Sequence, residues 1–79
     1  MYYIIKTDRS EIIGLSDVDF YNVDIYDKEE YKFKDERSRK IKFVIPTIDV
    51  EYIFGTEDKD EWQTHLIKIE QGDDVVYCF

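Results

Sequence analysis

Alanine is absent from this chain, and leucine occurs only as Leu15 and Leu66, against eleven isoleucines, six valines and twelve phenylalanines or tyrosines. The best helix formers are therefore scarce, while the residues that suit a pleated, half-buried surface are abundant. Cys78 is the one cysteine, which excludes an internal disulfide and a cysteine-based zinc site. Gly14, Gly55 and Gly72 stand alone, so no glycine-rich phosphate loop is available. No run approaches about 18 consecutive apolar residues, the length a membrane-spanning helix needs. No apolar block follows a basic start, as a secretory leader would require, and the chain is expected in the cytoplasm of its host or source cell.

What is present is enough for one domain of 79 residues and no second. Thirty-four residues, 43%, are apolar, and the mean hydropathy is −0.53. A domain this small buries only about 60–65% of its unfolded surface. The aromatic residues compensate, since each can bury roughly 150–250 Å². A homodimer, or a partner covering one face, would add to such a modest core.

Short apolar runs at spacings of about ten residues predict a mostly β fold of about six strands, in a small antiparallel sheet, sandwich or barrel. Met1–Lys6 and Glu11–Leu15 flank the polar cluster 7–10 as a hairpin would. Along 16–27 the apolar phase changes from Val18 and Phe20 to Val23 and Ile25, which predicts a bulge or sharp bend near Tyr21-Asn22. Tyr31 and Phe33 alternate with Lys32 and Lys34, and Ile41, Phe43 and Ile45 with Lys40 and Lys42, so these two runs read as a second hairpin ended by Pro46. Ile48, Val50, Tyr52 and Phe54 continue the alternation up to Gly55. Asp58 and Glu61 suggest a capping box for at most one short helix near 58–64. Leu66–Glu70 and Val75–Phe79, around the turn 71–74, read as a last hairpin. Phe33, Ile41, Phe43, Ile45, Val50, Tyr52, Phe54, Ile67 and Ile69 are expected in one core.

Catalysis needs a positioned acid, base, nucleophile or metal, and the spacing supplies none. His65 has no partner serine or carboxylate at a telling distance in sequence, and Cys78 sits in an apolar run. Asp17-Val18-Asp19 begins like a calcium loop, but the sixth position is Asn22 and the twelfth is Lys28, so the motif fails. No enzyme activity, cofactor or metal is expected.

The charge is more informative. Nineteen acids oppose eleven Lys and Arg, for a net of −8. Residues 1–27 carry six acids and two bases, residues 28–42 four acids and seven bases, and residues 43–79 nine acids and two bases. The pairs Asp17/Asp19 and Asp49/Glu51 are expected to project from one face of a strand, about 6.6–6.8 Å apart. With Asp24, Asp27, Glu57, Asp58, Asp60 and Glu61 they would form an acidic band, and Tyr21 and Tyr26 would add rigid contact area. Such a band suits the basic surface of another protein, such as a DNA- or RNA-handling enzyme. Its sharpest form is a phage-type inhibitor of a host defence protein that mimics the charge of nucleic acid. The alternatives are a small β-barrel that binds single-stranded nucleic acid through the basic 28–42 hairpin, or a subunit module with no inhibitory role. The net charge opposes direct contact with nucleic acid over most of the surface.

Overall fold

The computed structural model describes residues 1–72 and 75–78. Among them are seven strands, one 3₁₀ turn and one α-helix: β1 (Tyr2–Thr7), β2 (Glu11–Leu15), β3 (Val18–Ile25), β4 (Lys28–Asp35), β5 (Ile41–Pro46), the 3₁₀ turn Thr47–Asp49, β6 (Val50–Thr56), α1 (Lys59–Glu70) and β7 (Val75–Cys78). The β majority follows the composition. The strands form two sheets and no closed barrel. Sheet A has the order β6-β1-β2-β7, and sheet B the order β3-β4-β5.

Strands β1 and β2 form the expected N-terminal hairpin, with Ile5 opposite Ile13. They are covered on both faces, which is why Ile4-Ile5 and Ile12-Ile13 appear as unbroken apolar pairs. Ile5, Ile13 and Leu15 meet Val18, Phe33 and Ile45 of sheet B, with Tyr3, Phe20, Tyr31 and Phe43 packed around them. Phe20, Phe33 and Phe43 face one another across the strands of sheet B, with ring centroids 5.3 and 6.3 Å apart along that row. On the other face of sheet A, Ile4 and Ile12 pack against Trp62 and Leu66 of the helix. The molecule is thus layered helix, sheet, sheet, with two cores where one was expected. Ile41, Tyr52 and Ile67, assigned to that single core from sequence, are exposed.

The helix begins where the cap predicted and then runs on to Glu70. Leu66–Glu70 is therefore helical, and the hairpin expected between it and Val75–Phe79 does not form; residues 73, 74 and 79 of that segment lie outside the described part. Trp62, Leu66 and Ile69 recur at i, i+4 and i+7 and give α1 a narrow buried stripe. The Trp62 indole Nε1 donates to the Tyr3 carbonyl at 2.9 Å, tying helix to sheet. Gly14 permits the close approach, since a Cβ there would lie 3.1 Å from Leu66 and 3.3 Å from Trp62.

Strand β7 pairs parallel to β2, and β6 runs parallel to both, so β6–α1–β7 is a crossover from one edge of sheet A to the other. A tight hairpin cannot join parallel strands, and a helix can. Twelve residues of helix extend about 18 Å, against about 14 Å for three strand spacings.

The bulge expected near Tyr21-Asn22 is also absent. β3 pairs with β4 in unbroken register from Val18↔Asp35 to Ile25↔Lys28. Val18 and Phe20 face sheet A, and beyond its cover the same face carries Asn22 and Asp24. Val23 and Ile25 lie half-buried on the outer face instead.

Candidate functional site

The residues assigned to a partner surface fall into three separate groups. The first lies along β3. Asp17 belongs to the link before the strand, with φ 54°, so it and Asp19 do not share a pleat. Asp19 pairs with the Arg39 guanidinium, which also donates to the Tyr21 hydroxyl. That hydroxyl, with Asp19 behind it, raises the Arg39 pKa further above its ordinary value. Asp24, Tyr26 and Asp27 sit at the far end of the same hairpin, where Tyr26 is 93% exposed.

The second group is Asp49 and Glu51. Asp49 closes the 3₁₀ turn, and Glu51 stands where the β1–β6 register shifts, so these two also fail to form a pair on one strand face. Glu51 lies 3.9 Å from the Lys6 ammonium.

The third group is the helix start. Asp58 accepts hydrogen bonds from the Asp60 and Glu61 amides at 2.9 and 3.3 Å, and so serves as N-cap. Glu61 accepts from the Thr56 hydroxyl at 3.1 Å rather than reaching back to Asp58. Asp60 and Glu61 occupy the first turn, where the helix dipole favours negative charge. Glu57 is exposed beside them.

Two further surfaces are present, and only the second was indicated by the sequence, as the basic 28–42 hairpin. One is a cleft of about 320 Å³ where the two sheets part, within the usual range for ligand sites. Its floor is apolar: Ile13 and Ile45, both buried, with half-buried Phe43. Tyr77 of β7 stands at one side, and Asp49 comes from the 3₁₀ turn. Asp8, Arg9 and Glu11 complete the rim from the β1–β2 connection. Thr7 fixes that connection, its buried hydroxyl accepting from the Arg9 and Glu11 amides at 3.3 and 3.2 Å. The Asp8 amide donates to the Asp49 carbonyl at 3.0 Å and brings the two halves of the rim together. Asp49 is the one cleft residue that the sequence suggested, and only as half of a strand pair.

The other surface is the outer face of sheet B. Lys32 and Lys34 alternate along β4 with Tyr31 and Phe33 turned inward, as the sequence indicated, and Glu30 and Lys28 continue the outward phase. Tyr21 lies opposite Lys32 and shares the lysine face, with the Lys34 ammonium 4.9 Å and the Arg39 guanidinium carbon 5.9 Å from its ring centre. A cross-strand neighbour supplies the aromatic ring that alternation within one strand withholds.

Among the described residues, no three His, Cys, Asp or Glu side chains converge as metal ligands. His65 stacks on Phe54 at 4.4 Å, on the helix rather than on a strand. Partial burial raises the Cys78 thiol pKa, which disfavours the reactive thiolate. Compared with known protein families, characterised proteins and solved structures, the chain matches none.

Proposed function

We propose that this chain is a non-enzymatic binding domain that presents its acidic side to a basic surface of another protein. The observation that carries the reading is the division of charge between the layers. The span of sheet B, residues 18–46, holds seven acids and seven bases and is neutral. The rest of the chain holds twelve acids and four bases, and so bears the whole net charge of −8. A field of that sign steers a basic partner toward sheet A and its helix. An inhibitor that occupies a nucleic-acid-binding groove is the sharper form of this reading.

The test is the rate of association with a captured basic partner. It should fall as the Debye length shrinks from about 10 Å at 0.1 M salt to about 3 Å at 1 M. A variant with Glu57→Gln and Glu70→Gln leaves the Asp58 cap, the first-turn acids Asp60 and Glu61 and the Glu61–Thr56 bond intact, and should bind more slowly without melting earlier. Nucleic acid should compete for the same partner surface if the inhibitor form holds. A rate that ignores both salt and these substitutions refutes the proposal.

One observation favours a second reading. Tyr21 with Lys32 and Lys34 beside it, and Lys28 further along β4 beyond Glu30, gives sheet B an aromatic and basic stretch of outer face of the kind that accepts single-stranded nucleic acid. Fluorescence anisotropy with a labelled oligonucleotide tests it directly, and the signal should vanish when the three lysines are changed to Gln.

A further inference from the structure

The cleft between the open ends of the two sheets has the chemistry of a socket for one side chain. Its floor of Ile13, Ile45 and Phe43 suits a methylene stem, and Tyr77 offers an aromatic ring beside it. Its rim sets the sign of the ligand. Asp8, Glu11 and Asp49 oppose the single Arg9, for a formal charge of −2 around an opening of about 320 Å³. A carboxylate ligand would gain Arg9 and face three like charges, while a cation gains three carboxylates and the ring. Long basic side chains combine an apolar stem with a charged head, and no other protein side chain matches both the floor and the rim.

We infer that this cleft receives an arginine or lysine side chain of a bound protein, as the anchor around which the acidic side docks. The inference rests on the acidic-binding reading above and names the chemistry at its centre. The rim is held in place by backbone contacts. The Thr7 hydroxyl and the Asp8–Asp49 hydrogen bond use main-chain amides and a carbonyl, so Asp49 and Glu11 side chains can be changed without releasing the turn.

The test uses small probes and amide NMR spectra of the intact chain. N-acetyl-arginine-N-methylamide should shift the resonances of residues 7–13, Asp49 and Tyr77, and the effect should fade at 1 M salt. The citrulline analogue, of the same shape but uncharged, should bind far more weakly. Asp49→Asn and Glu11→Gln should each weaken the arginine probe about threefold, the effect of one charge about 6 Å away in water. Arg9→Gln should strengthen it by a similar factor, a gain that damage to the fold would not produce. Equal binding of the citrulline probe, or no strengthening by Arg9→Gln, overturns the inference. Shifts centred on residues 57–61 instead of the cleft also overturn it, while leaving the broader acidic reading standing. Localised arginine binding alongside a partner whose association ignores salt would sustain the cleft and refute the broader reading.

Discussion

The β3–β4 turn is built from unsuitable residues, and correcting it should stabilise the fold. Tyr26 and Asp27 form the two-residue connection between β3 and β4, with Ile25 opposite Lys28. Both have left-handed backbone, at φ 53° and 62°. Two-residue hairpins of this kind favour Asn-Gly, because an ordinary L-residue in that region costs about 1–2 kcal/mol. Tyr26 is 93% exposed, so replacing it sacrifices almost no buried area. Tyr26→Asn should therefore add about 1 kcal/mol. Asp27→Gly should add less, because aspartate tolerates the region better and glycine loses about 0.5–1 kcal/mol more entropy on folding. A gain of about 1 kcal/mol corresponds to a rise of roughly 4–8 °C in Tm for a domain of this size. Thermal melts of the wild type, both single variants and the double variant measure it, with the pair expected to be non-additive because the residues are adjacent. An unchanged or lowered Tm in Tyr26→Asn would refute the reasoning. The same variant separates stability from binding: if Tyr26 contacts the partner, the more stable protein binds less well.

Three further predictions concern the cores and one turn. Phe33→Ala, at the fully buried centre between the sheets, should cost about 3–5 kcal/mol in urea unfolding, and Phe43→Ala less because Phe43 is only half-buried; equal losses would contradict the assigned packing. Trp62→Phe keeps an aromatic ring against Ile4 and Ile12 but leaves the Tyr3 carbonyl without its donor, and should cost about 1–3 kcal/mol. The Asp35 carboxylate accepts from the Ser38 and Arg37 amides at 2.9 and 2.8 Å, and these bonds hold its pKa below the ordinary value. That contribution is present above the unfolded value of about 3.9 and is lost as pH falls through the lower folded value. Asp35→Asn should then show a shallower loss of Tm below about pH 4 than the wild type, and parallel profiles would refute the assignment.

The elements legible in the sequence were those whose signal is local. The β1–β2 and β4–β5 hairpins announce themselves through polar connections and, in β4 and β5, strict alternation, and the Asp58 cap marked the helix start. Leu66-Ile67-Lys68-Ile69 resembles a strand when taken alone, and Ile67 is in fact exposed on the helix. The decisive signal was the wider spacing of Trp62, Leu66 and Ile69. The phase change in β3 suggested a bulge because both phases were assumed to be buried; sheet B instead outruns its cover. The carboxylate pairs failed for a similar reason, since Asp17 and Asp49 lie just before strands rather than in them. The cleft was not legible at all, because its rim joins residues 8–11, 49 and 77, and no local pattern reports that closure.

The crossover through α1 also orders assembly in time. The centre of sheet A is a local hairpin, while its outermost pairing joins Glu11 to Val75, sixty-four positions away. Contacts so distant in sequence form slowly, because the loop between them must be ordered first. Until the helix has been made and docked, Ile4 and Ile12 have no cover on that face of the hairpin. During synthesis that interval lasts until residue 70 has emerged. A nascent chain of this protein thus carries an adhesive surface that the finished molecule hides, and docking of Trp62 ends the period in which it is vulnerable to aggregation.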